Sequence, residues 1–406
     1  MYVAVMGYGT VGSGVAALLR KNHELIRKKS RQESLELRYI LDLRTFPGDE
    51  NESLVTNDFN LIQNDSDVRI VVETMGGLHP AFEFVSACLA AGKSVVTSNK
   101  ELVAAKGMEL LRIAAENNAN FMFEASVGGG IPVLTPIIQC LAANEISEVA
   151  GILNGTTNYI LTKMFDEGAG FESALAEAQR LGYAERDPSA DVDGIDACRK
   201  ICILADLCFG REVAPDSFYV EGIRNITETD VEYAKALGGV IKLVASAEKK
   251  NGGENVAVCV SPAFIRNGSQ LANVSDVFNA VLVRGDAVGD TVFYGRGAGK
   301  MPTASAVMAD VIDCAVSMGE TKPYGWSEAP DGYVLPDDEF TSRFFVRAAC
   351  GADKVKEVFG SVQQVSFEGA PQGETAFVTE LTDKASLKKS LADLGEIRSV
   401  IRVTDY

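Results

Sequence analysis

Histidine is nearly missing from this chain, with two residues in 406, His23 and His79. A histidine-ligated metal centre or a histidine-based nucleophile relay therefore has almost nothing to be built from. No run of about 18 apolar residues occurs, so no segment is expected to span a membrane. The eight cysteines form no C-x-x-C pair. They sit in apolar stretches and look like small core residues in a reducing compartment. Basic residues are also few: 38 Lys and Arg against 56 Asp and Glu leave a formal charge of −18. That sets aside nucleic acid, whose phosphates need a basic surface. The start, MYVAVMGYGT, enters a strand with no basic leader or cleavage site, and we expect a cytoplasmic protein. What remains is a globular composition, 47% hydrophobic and 23% charged, long enough for about two to four domains.

Tyr2–Met6 is a short apolar run that leads into Gly7-Tyr8-Gly9-Thr10-Val11-Gly12 and then a helical pattern, VAALLRKNHELIRKK. This is G-x-G-x-x-G between a strand and a helix, where glycines allow a tight turn and a pyrophosphate can approach the helix N-terminus. The strand expected over 35–43 ends near Asp42 and Arg44. Asp42 suits the ribose 2′-hydroxyl of NAD and Arg44 the 2′-phosphate of NADP. NADP is favoured and NAD stays open. Further strands are expected at RIVVET (69–74), SVVTSNK (94–100) and NFMFEAS (120–126), with helices between them. Alternating β and α with apolar strands predicts a doubly wound, Rossmann-type parallel sheet, with ligands at the strands' carboxyl ends near Gly9–Val11, Thr74 and Lys100.

Residues 182–200, GYAERDPSADVDGIDACRK, form the chain's most unusual stretch. An acid-rich loop holding Glu185, Asp187 and Asp191 precedes IDACRKICILADLCF, which is apolar at nearly every position and should be a buried helix. Asp196 and Lys200 lie four apart, on one face of it. As a surface pair they would add only about 0.2–0.5 kcal/mol. Beside so many carboxylates they suggest a pocket wall, with an amine whose proton can be tuned for general acid–base work.

The spacing of Ala178, Gly182, Tyr183, Asp187, Pro188, Asp191, Gly194, Asp196 and Lys200 resembles the signature of homoserine dehydrogenases. So do V-T-x-N-K at 96–100, E-A-S-V-G-x-G-I-P at 124–132 and G-x-G-A-G-x-x-P-T-A-S-A-V at 295–307. The resemblance implies NAD(P)-dependent interconversion of L-homoserine and L-aspartate 4-semialdehyde. It implies that Lys100 contacts cofactor and substrate, that Gly155 and Thr156 in the turn N-G-T-T-N line the substrate pocket, and that Gly297 lies near the cofactor. It also implies a monovalent cation, sodium or potassium, on backbone oxygens of Glu124, Val127, Gly129 and Ile131. Lys200 is then the proton donor or acceptor, Asp196 its partner, and Glu185 and Asp191 the carboxylates for the substrate ammonium.

The expected domains are a dinucleotide-binding domain (1–131 and 296–320), an α+β substrate and dimerisation domain (132–295), a linker (321–339) and a tail (340–406). The tail has a βαββαβ pattern, ferredoxin-like and similar to an ACT domain, for which the resemblance names threonine as the usual effector. An open sheet with one apolar face suggests a homodimer or homotetramer. Two rivals stand against this reading. A thiol-dependent semialdehyde dehydrogenase would need an activated cysteine near a base. A catalytically silent amino-acid sensor on the same fold would bind its ligand in the tail.

Overall fold

A computed structural model describes residues 1–406. The chain divides into two compact units. One comprises Met1–Ala143, Cys202–Ala214 and Gly295–Glu328, and the other Asn144–Ile201, Pro215–Tyr294 and Ala329–Tyr406. No helix is long and apolar enough to cross a membrane.

The first unit contains six strands: β1 (Tyr2–Met6), β2 (Glu36–Leu41), β3 (Val55–Thr56), β4 (Val68–Glu73), β5 (Ser94–Thr97) and β6 (Phe121–Met122). They pair in parallel in the order β3-β2-β1-β4-β5-β6. Parallel strands are covered on both faces, which is why Val3, Val5, Val71, Val72, Val95 and Val96 are all fully buried. The strand order reverses between β1 and β4, so a crevice opens at their carboxyl ends. The helix Lys300–Val316 belongs to this unit: Ala304, Val307, Val311 and Cys314 share a core with Val3, Val15, Leu19, Val72 and Met122.

Two local expectations are corrected here. The run after Gly12 is two helices, Thr10–Lys21 and His23–Ser30, interrupted at a non-helical Asn22. Asparagine competes for backbone hydrogen bonds and favours such junctions. The strand expected through Ser126 stops at Met122. The Glu124 N–H donates to buried Asp310, and the Glu124 carboxylate accepts the N–H groups of Val133, Leu134 and Thr135. A chain committed to those partners turns instead of extending.

The second unit holds β7 (Ile146–Ile152), β8 (Gly239–Lys250), β9 (Asn255–Arg266), β10 (Phe278–Gly285), β11 (Gly289–Arg296), β12 (Thr341–Ala348), β13 (Gln363–Val365), β14 (Thr375–Val378), β15 (Thr382–Asp383) and β16 (Ile397–Thr404). They form one sheet in the order β11-β10-β7-β8-β9-β16-β12-β14-β13, with β15 on β12. The C-terminal segment joins it because β16 pairs in parallel with β9 through Arg402, Val403 and Thr404. Within that segment β16, β12, β14 and β13 are antiparallel neighbours, with helices Ala352–Phe359 and Lys384–Ala392 between strands. The helix Ile195–Phe209 forms over the residues expected from its apolar pattern.

Candidate active site

In the first unit the glycine turn is built by close approach. Gly7 has φ +94°, and a Cβ there would lie 2.9 Å from Met75 N and Thr74 O. A Cβ on Gly12 would lie 2.0 Å from Gly7 O, so the helix can press on the turn only without a side chain. Gly9 is different, since a Cβ on it meets nothing within 4 Å. Protein packing does not demand that glycine, whereas a ligand backbone-to-backbone with it would. Gly9 also caps the helix Thr10–Lys21 with no side-chain hydrogen bond, so Thr10, Val11 and Gly12 start the helix at an uncapped end. A diphosphate fits this cradle chemically. Thr74 closes the turn, its hydroxyl donating to Gly7 O at 2.8 Å.

Asp42 and Arg44 do not act apart. Arg44 donates from Nε and Nη2 to the two Asp42 oxygens at 2.9 and 2.8 Å, and the Tyr8 N–H donates to Asp42 at 2.8 Å. The guanidinium holds the Asp42 carboxyl well below the usual carboxylate range. Arg44 remains exposed and leans over the Phe46 ring.

One residue of this crevice has no sequence motif. Glu73, at the end of β4, is fully buried, and burial pushes its carboxyl up. It accepts the N–H of Met75 and Gly76 and the Thr97 hydroxyl at 2.7, 3.3 and 2.5 Å. It ties the loop after β4 to the end of β5, where Asn99 caps the helix that begins at Lys100. The signal available was a carboxylate closing a strand directly after the apolar run Ile70, Val71 and Val72. Elsewhere in this unit Gly297 lies against Gly129: a Cβ on Gly129, whose φ is +59°, would stand 2.1 Å from Gly297 O. Val127, Gly129 and Ile131 lie in the same turn, after the 3₁₀ segment Glu124–Ser126.

In the second unit Lys200 is buried and donates to Asp196 Oδ2 at 2.8 Å and to the Leu153 carbonyl at 2.7 Å. Asp196 is equally buried. The acid-rich loop is not wholly irregular. Ser189–Val192 forms one helical turn, stabilised where the Asp187 carboxylate accepts the Ser189 N–H and hydroxyl. That turn presents Asp191 to the same cluster, where it accepts from the Asn154 side chain at 2.7 Å. Gly155 begins the next helix, where a Cβ would crowd Val277 O at 2.9 Å. Thr156 follows, with its hydroxyl committed to Tyr183 O at 2.6 Å. Glu185 is exposed, and its carbonyl accepts from Gln179. Lys200, Asp196, Asp191, Gly155 and Thr156 are thus brought together from three segments, with Asn154 at their centre.

Two of the buried cysteines are poorly suited to a competing thiol site. Burial pushes the Cys88 thiol up to about 12 and raises Cys314 as well, which disfavours the thiolates a nucleophile needs. No group of three or more His, Cys, Asp or Glu side chains is arranged to hold a metal ion.

Comparison with known proteins points to one family. The family model for the homoserine dehydrogenase NAD-binding domain matches residues 7–124, and that for homoserine dehydrogenase matches residues 132–312. The homoserine dehydrogenase of Synechocystis is 38% identical over 431 aligned residues that cover 99% of both chains. The crystal structure of a homoserine dehydrogenase from Thiobacillus denitrificans has a TM-score of 0.90 at 34% identity, covering 100% of this chain and 98% of that one. A hyperthermophilic archaeal homoserine dehydrogenase in complex with NADPH has a TM-score of 0.65 at 29% identity, covering 78% of this chain and 97% of that one. A dinucleotide turn in one unit, a buried lysine–carboxylate cluster in the other and relatives matched end to end lead to one assignment: the chain belongs to the homoserine dehydrogenase family.

Proposed function

We propose that the protein interconverts L-homoserine and L-aspartate 4-semialdehyde with a nicotinamide nucleotide. The observation that carries this reading is the buried Lys200 amine, held by Asp196 Oδ2 and the Leu153 carbonyl. A bound nicotinamide supplies the hydride acceptor. Lys200 takes the hydroxyl proton in the oxidative direction and returns it in the reductive one. Asp196 orients the amine and favours its charged form between turnovers. Asp191 and Glu185 hold the substrate ammonium, Gly155 and Thr156 form a pocket wall, and Lys100 polarises the reacting oxygen.

The nucleotide is held by the turn Gly7–Gly12 and by Thr74, with Gly297 contributing beside it. Asp42 is occupied by Arg44 and the Tyr8 N–H, so it offers little to a ribose 2′-hydroxyl, whereas the exposed Arg44 suits a 2′-phosphate. NADP should therefore give the higher kcat/KM. The 124–131 turn would hold sodium or potassium on the carbonyls of Glu124, Val127, Gly129 and Ile131, because uncharged oxygens suit a hard cation of low charge. Segment 340–406 is an ACT-like module in this reading. A cavity of about 440 Å³, lined by Phe340, Lys384, Leu387 and Arg398 of this segment and by Glu221 among others, offers both signs of charge to an amino-acid effector such as threonine. A second copy of the chain would cover the exposed side chains Val288, Val292 and Tyr294 at the β11 edge. The deciding experiment is homoserine oxidation by the purified protein with NAD+ and NADP+ in turn. Turnover with a preference for NADP+ supports the reading, and no turnover with either nucleotide overturns it.

A further inference from the structure

We propose that Asn154 is a positioning residue for this reaction, whose side-chain amide fixes the Asp191 and Asp196 carboxylates relative to each other and thereby poises Lys200 for proton transfer. The proposal rests on the reading of Lys200 as the proton-transfer group.

Asn154 is buried and extended (φ −127°, ψ 116°) immediately before the helix Gly155–Glu167. A primary amide has two donor protons and an oxygen with two acceptor positions. Here both donors are used and the oxygen is held by Thr157, whose hydroxyl is shared with the Asn154 carbonyl. Oδ1 accepts the Thr157 N–H at 2.8 Å and the Thr157 hydroxyl at 3.0 Å. Nδ2 donates to Asp191 Oδ1 at 2.7 Å and to Asp196 Oδ2 at 2.9 Å. The helix cap therefore decides which way the amide faces. Reversed, its NH₂ would meet the Thr157 N–H donor and its oxygen would meet two carboxylates. With the cap in place the two donors have to point at Asp191 and Asp196.

The same Asp196 Oδ2 accepts from Lys200 Nζ, and the other acceptor of Nζ is the carbonyl of Leu153, the residue before Asn154. Leu153 and Asn154 thus address the amine twice, once directly and once through Asp196. The carboxylates that accept from Asn154 are Asp196 on the lysine's own helix and Asp191 on the short helix before it. Capping alone does not require asparagine, because Ser and Asp cap about as well. What Ser and Asp lack is the pair of donors. An aspartate here would set a third carboxylate against the other two, where like charges raise proton affinity.

The test compares Asn154→Ser and Asn154→Asp, which both retain a capping oxygen, in the full-length protein. The kcat for homoserine oxidation is followed against pH, with thermal melts and nucleotide KM on the same samples. Asn154→Asp should lower kcat by about 100-fold and move the pH midpoint of the oxidation upward by about one unit, since an added negative charge favours the ammonium form of Lys200. Asn154→Ser should lower kcat by about tenfold and move the midpoint upward by about half a unit, with nucleotide KM unchanged, because Asp191 and Asp196 lose the amide donors that offset their charge. If both variants keep the wild-type kcat and pH midpoint, or lose kcat at an unchanged midpoint, Asn154 is only a helix cap and the proposal fails. Should Asn154→Asp not fold, the kcat and midpoint of Asn154→Ser decide by the same criteria. Absence of homoserine oxidation in the wild type would instead overturn the proposed function, a separate failure visible in the same assay.

Discussion

An amine taken out of water pays for that position unless its surroundings replace the lost solvation. Lys200 has a carboxylate and a carbonyl to do so, and the proposed chemistry needs it there. Lys200→Ala should reduce turnover by about 10³-fold, within the range for loss of a general acid–base. Binding of NADPH, followed by its fluorescence, should persist. A melt on the same sample is needed because Asp196 is left as a buried charge without its lysine, which destabilises. Wild-type turnover in this variant would remove Lys200 from the mechanism. A second buried lysine, Lys242, allows a pH test. It donates to Asn158 Oδ1 and the Val274 carbonyl, and burial pulls its pKa down to about 8. Between that value and the 10.5 of an exposed lysine the unfolded chain binds more protons than the folded one, so this group's contribution to stability rises with pH across that window. The difference in unfolding free energy between wild type and Lys242→Gln should shift in favour of the wild type from pH 8 to pH 10. A difference independent of pH would show that Lys242 does not titrate in that interval.

At the scale of the element, the nucleotide turn separates two reasons for a glycine. Gly12 is excluded from carrying a Cβ by the chain itself, through Gly7 O at 2.0 Å. Gly12→Ala should therefore lower the melting temperature as well as nucleotide affinity. Gly9 faces open space. Gly9→Ala should leave the melt within about 1 kcal/mol of wild type and weaken nucleotide binding by tenfold or more, because the methyl group occupies the place of the diphosphate. A melt lowered as much by Gly9→Ala as by Gly12→Ala would contradict that division. The pattern G-x-G-x-x-G is legible in the sequence, but which glycine serves packing and which serves a ligand is not. The same holds for N-G-T-T-N: its cap is legible, whereas the carboxylates that Asn154 holds come from 37 and 42 residues away.

At the scale of the whole molecule, the C-terminal segment does not stand beside the second unit's sheet but continues it. β16 covers the edge of β9, and Arg402 on β16 donates to Ser246 Oγ and the Val244 carbonyl of β8. Ending the chain at Glu339 would expose that edge, a row of unpaired backbone groups that invites association. The truncated protein should melt lower and elute as larger species in size-exclusion chromatography. A monodisperse product with an unchanged melt would show that the sheet closes without β16.

The sequence by itself determined the local features. The apolar runs alternating with helical periods, the glycine turn after Met6 and the fifteen-residue apolar helix carrying Asp196 and Lys200 all depend on neighbours a few residues apart. Such patterns specify which face is buried and which backbone can bend. Only the tertiary structure decided what those features meet. It paired Arg44 with Asp42, placed Glu73 under the loop after β4, made Asn154 the bridge between two carboxylates and joined β16 to β9. The reason is physical: hydrogen bonds and ion pairs are specific to distance and direction, and segments remote in the chain acquire both only when the cores behind them pack.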